Sequence, residues 1–264
     1  MDSSGKEKEM NIQDCKAIVT GGASGLGEAC IRHLIKEGAS AVILDLDQAR
    51  GEKLSAELGE NVIFVKTDVT SDESVQAAIN MAIQVFGGIN IAINCAGIGD
   101  PGKMLSKKGP MPLATFNRMV QINLVGTFNV ARLAVAQMVN NKPNEDGEKG
   151  VIINTASVAA FDGQIGQPAY AASKAGVVGM TLPMARECAD YGVRVMTIAP
   201  GLFNTPMLAI LPEAARDALG KMVPFPSRLG NPNEYAMLAM HIIENPMLNG
   251  EVIRLDGAIR MAAK

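Results

Sequence analysis

Seven short runs of Val- and Ile-rich sequence recur along the chain, and they restrict its fold more than any other feature. The runs cover residues 17–22, 41–45, 62–66, 91–94, 151–157, 193–200 and 252–257. They do not alternate with polar residues, which is typical of strands buried on both faces of a parallel sheet. Their starting points are roughly 20–60 residues apart, enough for the crossover helix that parallel strands require. We therefore predict an α/β fold with a doubly wound, seven-stranded parallel sheet and helices on both faces.

The composition indicates one globular domain. Hydrophobic residues make up 48% of the 264 residues and charged residues 19%. We expect a polar tail over residues 1–13, a single domain over 14–264, and loops at 97–112, 140–150 and about 200–228, the last being a substrate lid. No apolar run reaches the roughly 18 residues of a membrane helix. The net charge of −3 gives no reason to expect direct contact with nucleic acid.

Histidine and cysteine usage gives little support to metal or redox chemistry. His33 and His241 lie in apparent helices, with no partner at the spacing of a metal site or a catalytic triad. We predict no metal site and interpret the cysteines as reduced thiols, because they are far apart and form no Cys-x-x-Cys motif. They are Cys15, Cys30, Cys95 and Cys188.

A glycine-rich turn follows the first run and leads into a helical segment. Small residues let the backbone turn tightly and approach a phosphate, and the helix start supplies free N–H groups and partial positive charge. The position of this turn between a strand and a helix favours a dinucleotide site in a Rossmann-type domain over a simple turn. The residues predicted to bind the cofactor here are Gly21, Ser24, Gly25, Leu26 and Gly27.

The second run ends in Asp45, 24 residues after Gly21. A carboxylate at this point accepts hydrogen bonds from a ribose 2′-hydroxyl and repels a 2′-phosphate. No Lys or Arg stands in the glycine turn or directly after Asp45. We therefore predict NAD, and not NADP, as the cofactor, with a helix cap at the strand end as the alternative role of Asp45.

Tyr170 and Lys174 lie four residues apart in a run of Ala, Gly and Ser. On a helix they share a face, one turn apart. A free tyrosine has a pKa near 10, and a cation about 5 Å away is expected to lower that pKa by about two units. Such a tyrosine can exchange a proton with a substrate hydroxyl, while Ser157 holds the substrate oxygen from the other side. Without further context, a Tyr–Lys pair at this spacing is more often a surface contact.

The order of these motifs resembles the short-chain dehydrogenase/reductase family over nearly the whole chain, from about Asp14 to Met261. The resemblance implies NAD-dependent hydride transfer by a catalytic tetrad in which tyrosine is the general base. The matching residues are Asn123, Ser157, Tyr170 and Lys174. Asn123 falls where the family keeps an Asn that bends a helix and holds a water, and Lys174 where it keeps a Lys that also binds the nicotinamide ribose.

Further cofactor contacts follow from the same resemblance. Asp68 and Val69 match the adenine contact of the family. Its Asn-Asn-Ala-Gly motif is matched by Asn94, Ala96 and Gly97, with Cys95 in place of the second Asn. The stretch over the nicotinamide, in which the Thr binds the carboxamide, is matched by Pro200, Gly201 and Thr205.

Four longer stretches resemble the members of this family that oxidise 3-hydroxyacyl-CoA. They begin at Gly150, Arg194, Val223 and Asn249. This resemblance implies a homotetramer that converts a 3-hydroxyacyl-CoA to the 3-ketoacyl-CoA in β-oxidation or a related pathway. The acyl group can be straight, branched or aromatic.

The substrate contacts are less well specified by the sequence. An apolar segment beyond the nicotinamide stretch suits an acyl chain under a closing lid, with packing of the lid on the core as an equal alternative. Gln164 and Gln167 are candidates to bind a thioester carbonyl. Lys103, Lys107 and Lys108 are candidates for the phosphates of coenzyme A, with a solvated basic loop as the alternative. The apolar segment comprises Leu202, Phe203, Met207, Leu208 and Ile210.

Two other functions stay open at the level of sequence. One is an NAD-dependent alcohol or hydroxysteroid dehydrogenase that does not use coenzyme A. The other is a non-catalytic scaffold or partner subunit, which the intact tetrad disfavours. The N-terminus is longer and more polar than in animal members, so we expect a bacterial cytoplasmic enzyme, with the mitochondrial matrix as the alternative.

Overall fold

The computed structural model describes residues 10–209 and 211–263. All seven predicted runs form strands of one parallel sheet, whose order is β3-β2-β1-β4-β5-β6-β7. The strands are β1 (Lys16–Thr20), β2 (Ser40–Asp45), β3 (Val62–Lys66), β4 (Ile91–Asn94), β5 (Gly150–Thr155), β6 (Val193–Pro200) and β7 (Val252–Leu255). This arrangement confirms the predicted doubly wound, seven-stranded sheet.

Helices cover both faces of the sheet. The central strands send alternate side chains into two apolar cores, as expected for strands with no solvent-facing side. Val19, for example, lies in one core and its neighbour Ile18 in the other. The helices are α1 (Gly25–Lys36), α2 (Gln48–Leu58), α3 (Asp72–Phe86), α4 (Leu113–Val120), α5 (Gly126–Met138), α6 (Pro168–Ala189), α7 (Pro206–Ala209), α8 (Glu213–Lys221) and α9 (Pro232–Glu244).

The strand order reverses at β1, which pairs with β2 on one side and with β4 on the other. In sheets of this type, ligands bind in the crevice that forms at the carboxyl ends of the strands around such a reversal. Thr20, Asn94 and Asn154 are in register across β1, β4 and β5. The glycine turn, the residues after Asn94 and the residues after Thr155 therefore meet at one edge of the sheet.

The predicted loops contain more structure than expected. Leu105–Ser106 pairs with Gly109–Pro110 in a small hairpin inside the 97–112 loop. The segment 200–228 carries α7 and α8, because 213–221 is rich in helix-forming Ala, Leu and Glu and follows Pro212, which ends the preceding loop. At the N-terminus, the boundary predicted after residue 13 falls inside a 3₁₀ turn at Ile12–Asp14, and the Ile12 side chain is buried in the core. The rest of the predicted tail, residues 1–9, lies outside the described residues.

One helical run is longer and more apolar than we predict from the sequence. α4, a π-helical turn at Gln121–Val125 and α5 join into a continuous helix over Leu113–Met138. Among the described residues it is the one helix that could span a membrane by length and composition alone. Its inner face is buried in the core at Val130, Ala134 and Met138, as in the core helix of a globular domain.

Candidate active site

The glycine turn forms one wall of the crevice. Gly21 and Gly25 have φ values of +61° and +57°, which favour glycine. A Cβ atom on Gly21 would lie 2.9 Å from the backbone nitrogen of Ala96, so the turn also packs against the end of β4. Ser24 is the N-cap of α1, and its side chain makes no capping hydrogen bond. The first N–H groups of α1, at Gly25, Leu26 and Gly27, are therefore without a side-chain partner, as a phosphate site at a helix start requires.

Asp45 stands behind this turn at the carboxyl end of β2. Its Oδ2 accepts a hydrogen bond from the Ala23 nitrogen at 3.1 Å, and its Oδ1 accepts one from the Asp47 nitrogen at 3.0 Å. The carboxylate is thus held beside the turn and places negative charge there. A glycine cradle with a fixed carboxylate next to it fits a dinucleotide such as NAD.

The end of β4 brings the turn and the tetrad together. Thr20 Oγ1 accepts hydrogen bonds from the Cys95 and Ala96 nitrogens, both at 3.1 Å. A Cβ atom on Gly97 would lie 3.2 Å from Asn123 Oδ1 and 3.5 Å from Lys174 Nζ. The side chain of Asn94, by contrast, is buried and donates to Asn154 Oδ1 at 2.9 Å, so it faces β5 and not the crevice.

The remaining predicted cofactor residues surround the crevice. Asp68 is exposed after β3, and its Oδ1 accepts hydrogen bonds from the nitrogen and Oγ1 of Thr70. Val69 is buried, and a Cβ on Gly126 would come within 2.6 Å of its Cγ2. A Cβ on Gly25 would lie 3.5 Å from the Thr205 Cβ, so Thr205 reaches the glycine turn.

Pro200 and Gly201 form the floor below the lid. Pro200 is the last residue of β6, and the Gly201 nitrogen donates to the Leu255 carbonyl at 2.9 Å. A Cβ on Gly201 would lie 2.9 Å from the Cα of Asp256, which requires a small residue at this point. The lid therefore starts from a rigid contact between β6 and the end of β7.

Asn123 lies in the π-helical turn, where the helix widens and turns its side chain inward. It is fully buried, with Oδ1 accepting from the Ile98 nitrogen at 2.8 Å. Its Nδ2 donates to the Ile98 carbonyl at 2.9 Å and to Ser173 Oγ at 3.1 Å. Asn123 thus fixes the loop after β4 against α6.

Tyr170, Lys174 and Ser157 converge at the start of α6. Lys174 Nζ donates to the Thr155 carbonyl at 2.8 Å and lies 5.9 Å from the centroid of the Tyr170 ring. Ser157, which caps the 3₁₀ turn at Val158–Ala160, acts on the Tyr170 hydroxyl in the direction that lowers its pKa. A proton donor or acceptor and a second hydroxyl therefore face the same point, which suits a carbonyl or alcohol oxygen.

The expected lowering of the Tyr170 pKa is not found in this structure. Burial raises the pKa of the Tyr170 hydroxyl, and its hydrogen bond with Ser157 only partly opposes that effect. Burial also lowers the pKa of Lys174 to about 8, against an ordinary value of 10.5. The Lys174 ammonium donates to the Thr155 carbonyl, and burial is the largest influence on the pKa values of both Tyr170 and Lys174.

Burial of Lys174 leads to a prediction about stability. Because the pKa of Lys174 falls from 10.5 to about 8 on folding, the folded state binds fewer protons between these values. The free energy of unfolding of the wild type then rises with pH over that range, and below pH 8 the cost of burying the ammonium is fully present. Lys174→Met is expected to abolish activity yet raise the free energy of unfolding at neutral pH by about 1–3 kcal/mol.

Urea unfolding at pH 7 and near pH 10 tests this expectation, since the gain of Lys174→Met should shrink at the higher pH. Lys36→Met, at an exposed lysine at the end of α1, is the matched control and is expected to change stability little at either pH. A variant at Lys174 that is less stable than the wild type at pH 7 would contradict the prediction.

The predicted lid residues divide into two groups. The prediction that Phe203 contacts the acyl chain is corrected, because Phe203 is buried in the core. Its ring packs on Gly230, where a Cβ would lie 2.8 Å from the ring. The interpretation as lid packing therefore holds for Phe203. Leu202 is partly buried, and its carbonyl accepts from the Gly230 nitrogen.

Met207 lies beside the tetrad. It is 44% exposed, and a Cβ on Gly99 would lie 3.2 Å from its Sδ and 3.8 Å from Tyr170 Cε2. Leu208 is partly buried in α7, and Ile210 lies outside the described residues.

The two predicted glutamines already have partners in the turn before α6. Gln164 Nε2 donates to the Ala262 carbonyl at 3.0 Å, and Gln167 Oε1 accepts from the Gln164 nitrogen at 3.4 Å. The C-terminal segment therefore holds this turn in place. The three lysines, which are exposed on and beside the hairpin at 105–110, are Lys103, Lys107 and Lys108.

Two residues at the site were missed by sequence reasoning. Thr155 supplies the carbonyl that holds Lys174, and Ser173 links Asn123 to the backbone of Tyr170 through a 2.8 Å hydrogen bond to the Tyr170 carbonyl. Ser173 stands directly before Lys174 in the sequence, and its polarity on a buried helix face was a usable signal.

A separate cavity of about 760 Å³ lies between α8 and residues 227–234, and Tyr170 does not line it.

Comparison with known proteins agrees with this geometry. The sequence model of the family described as short chain dehydrogenase matches residues 16–215. Relatives called 3-hydroxyacyl-CoA dehydrogenase type-2 in Drosophila melanogaster and Homo sapiens are both 56% identical, over 95% of this chain and 99% and 97% of theirs. A crystal structure of 3-hydroxyacyl-CoA dehydrogenase type-2 from Mycobacterium avium has a TM-score of 0.92 at 44% identity, covering 96% of this chain and 98% of that one.

The chain therefore belongs to the short-chain dehydrogenase family. This confirms the family resemblance drawn from the motifs. Members of the family are oxidoreductases that use a nicotinamide cofactor, and the glycine turn and crevice described above suit one.

Proposed function

We propose that this protein catalyses the reversible, NAD-dependent oxidation of a 3-hydroxyacyl-CoA to the 3-ketoacyl-CoA. The observation that carries the proposal is the placement of Tyr170 and Lys174 on one face of α6 beside the residues that follow β4, with Lys174 Nζ 5.9 Å from the centroid of the Tyr170 ring and a Cβ on Gly99 3.8 Å from Tyr170 Cε2. The substrate class is supported by the relatives with 56% identity over nearly their whole length, both named for 3-hydroxyacyl-CoA.

Each residue of the tetrad has a proposed task at the C3 oxygen of the substrate. Tyr170 takes the proton of the 3-hydroxyl during oxidation and returns it during reduction. Ser157 donates a hydrogen bond to the same oxygen as charge develops on it. Lys174 provides positive charge near Tyr170, and Asn123 holds the loop after β4 and the start of α6 in place. The glycine turn and Asp45 would hold NAD, which would supply the hydride acceptor for C3.

The preference for NAD over NADP rests on Asp45. Its carboxylate is fixed beside the glycine turn by two backbone N–H groups. A 2′-phosphate placed there would meet like charge, which disfavours its binding. The choice of cofactor is therefore part of the proposal and can be tested with the substrate class.

The test is the initial rate of acetoacetyl-CoA reduction with NADH and with NADPH. We expect kcat/KM with NADH to exceed the value with NADPH by about 10²-fold, and Asp45→Asn to narrow that ratio by about tenfold. Asp47→Asn is the matched control, because the Asp47 carboxylate is already paired with Arg50 and caps α2. Binding of NADH without turnover of acetoacetyl-CoA would contradict the assigned substrate while leaving the cofactor intact.

We also propose that the chain assembles as a homotetramer. Exposed apolar side chains on α5 and α6, including Phe128 at 47% and Leu182 at 45% exposure, support an interface on this face. Light scattering is expected to give about four times the chain mass of 27.7 kDa. A monomeric or dimeric mass at micromolar concentration would contradict the tetramer.

A further inference from the structure

Arg254 joins three segments around the turn before α6. It lies on β7, and its Nη2 donates to Asp162 Oδ2 at 2.6 Å and to the Ile259 carbonyl at 3.0 Å. Asp162 belongs to the turn, residues 161–167, and Ile259 begins the C-terminal segment, residues 259–263. One guanidinium therefore ties the last strand of the sheet to both of these segments.

The hydrogen bonds of this guanidinium are largely shielded from water. Its Nε donates to Asp256 Oδ2 at 2.8 Å, and the Asp256 side chain is 7% exposed. The side chains of Arg254 and Asp162 are 20% and 19% exposed. The guanidinium also lies 5.2 Å from the centroid of the Phe161 ring. Charge-assisted hydrogen bonds in such a setting are stronger than ion pairs at the surface, so Arg254 can fix the turn in place.

The turn is held at two further points by backbone hydrogen bonds. The Ile165 nitrogen donates to the Ala263 carbonyl at 3.0 Å, and the Gly166 carbonyl accepts from the Gly102 nitrogen at 2.7 Å. The C-terminal segment that supplies the first of these bonds is itself bound to Arg254. Loss of the guanidinium is therefore expected to loosen the turn both directly and through the C-terminal segment.

The catalytic helix has anchors of its own. Lys174 Nζ donates to the Thr155 carbonyl, and Ser173 links the Tyr170 carbonyl to the π-helical turn. These bonds join α6 to β5 and to the helix at 113–138, and the guanidinium of Arg254 has no part in them. Tyr170 is therefore expected to keep its place when the turn before it is loosened.

We propose that Arg254 is a positioning residue for the acyl-CoA substrate, because it holds the turn before α6 through Asp162. The inference rests on the proposed function, since it assigns this turn to the binding of acyl-CoA. The turn leads directly into the first turn of α6, where Tyr170 lies, and it carries the candidate thioester contacts Gln164 and Gln167. A displaced turn therefore weakens substrate binding more than it slows proton transfer.

Steady-state reduction of acetoacetyl-CoA at saturating NADH tests the proposal. Arg254→Met is expected to raise KM for acetoacetyl-CoA about tenfold, to change kcat by less than about threefold and to leave NADH affinity unchanged. A merely structural role would lower Tm and leave this KM unchanged. Arg260→Met is the matched control, because Arg260 also donates to Asp256 Oδ2, at 3.1 Å, but its side chain is 63% exposed. It is expected to keep the wild-type KM.

Asp162→Ala is the second variant, and it also serves if Arg254→Met does not fold. It removes the link to the turn while Arg254 keeps its bond to Asp256. We expect a rise in KM similar to that of Arg254→Met. The double variant should raise KM no further than either single variant, because the two residues act through one contact.

Hydrogen–deuterium exchange gives a readout that does not require acyl-CoA. The Ile165 amide is bound to the Ala263 carbonyl, and it is expected to exchange at least about tenfold faster in Arg254→Met than in the wild type or Arg260→Met. Faster exchange in a protein whose wild type does not reduce acetoacetyl-CoA would overturn the proposed substrate and retain Arg254 as the residue that holds the turn.

Three results would overturn the proposal itself. These are a KM that is unchanged in both Arg254→Met and Asp162→Ala, an equal rise in KM in Arg260→Met, and exchange of the Ile165 amide that does not differ from the wild type. A loss of kcat with unchanged KM would also contradict it, because the effect would then lie in proton or hydride transfer and not in the binding of substrate.

Discussion

Tyr170→Phe is expected to lower kcat for acetoacetyl-CoA reduction by about 10³-fold or more. The substitution removes only the Tyr170 hydroxyl and leaves the ring in place. Without it, the C3 oxygen loses the proton donor that we assign to this reaction. NADH affinity and Tm are expected to stay close to the wild-type values, since the hydroxyl holds no other element together.

The raised pKa of Tyr170 also predicts how the reaction rate depends on pH. Because burial raises its pKa, the hydroxyl is protonated at neutral pH and is ready to donate a proton during reduction. Oxidation needs the deprotonated form, so the wild-type rate of 3-hydroxyacyl-CoA oxidation is expected to rise as the pH increases above neutral. Tyr170→Phe should lose this rise together with its activity.

Tyr191→Phe is the matched control for this prediction. Tyr191 is 55% exposed and lies just past the last residue of α6, whereas Tyr170 lies in the first turn of that helix. We expect its kcat and pH profile to match those of the wild type. A Tyr170→Phe variant that retains kcat within tenfold of the wild type would remove Tyr170 from the proposed proton transfer.

Arg194→Met is expected to cause the largest loss of stability among single substitutions away from the site. The Arg194 side chain is 8% exposed, and its Nε donates to Glu148 Oε1 at 2.6 Å. Its remaining nitrogens donate to three backbone carbonyls, two of them in the last turn of α9; these belong to Ile242, Ile243 and Leu248. Met leaves the buried Glu148 carboxylate and these carbonyls without a partner, which costs about 3–5 kcal/mol.

The measurement is urea and thermal unfolding of the apoprotein, with Tm expected to fall by roughly 10 °C. Arg32→Met is the matched control, since Arg32 pairs with Glu28 and Glu57 at the surface, and it should cost less than about 1 kcal/mol. Combining Arg194→Met with Glu148→Leu should recover part of the loss, because the unpaired buried charge is then removed. Equal losses for the single variants at Arg194 and Arg32 would contradict the argument.

The sheet could be predicted because its signal is local and redundant. Val- and Ile-rich runs such as 41–45 and 62–66 have no polar side, and only a strand buried on both faces satisfies that pattern. The placement of Tyr170 and Lys174 was predictable for a similar reason, since a four-residue spacing on α6 brings them onto one face without help from the rest of the fold.

The lid and the acidity of the site could not be predicted in the same way. The segment 200–228 mixes Pro with apolar residues, so no helical period stands out in its sequence. The structure nevertheless has two helices there, and Phe203 packs on Gly230 in the core. The pKa of Tyr170 depends on how much of its hydroxyl is desolvated and on where the Lys174 ammonium points. Both are properties of the packed molecule, and neither follows from spacing along the chain.

The amino-acid sequence by itself determined the α/β architecture, the glycine turn after β1, the carboxylate at Asp45 and the family to which the chain belongs. These features depend on residues close together in the chain, whose conformations follow from steric and hydrophobic periodicity. Only the tertiary structure decided that Arg194 on β6 pairs with Glu148 in the loop before β5, that the same guanidinium binds carbonyls at the end of α9, and that burial raises the pKa of Tyr170. The physical reason is that contacts and desolvation between distant residues are set by strand register and core packing, which no local pattern encodes.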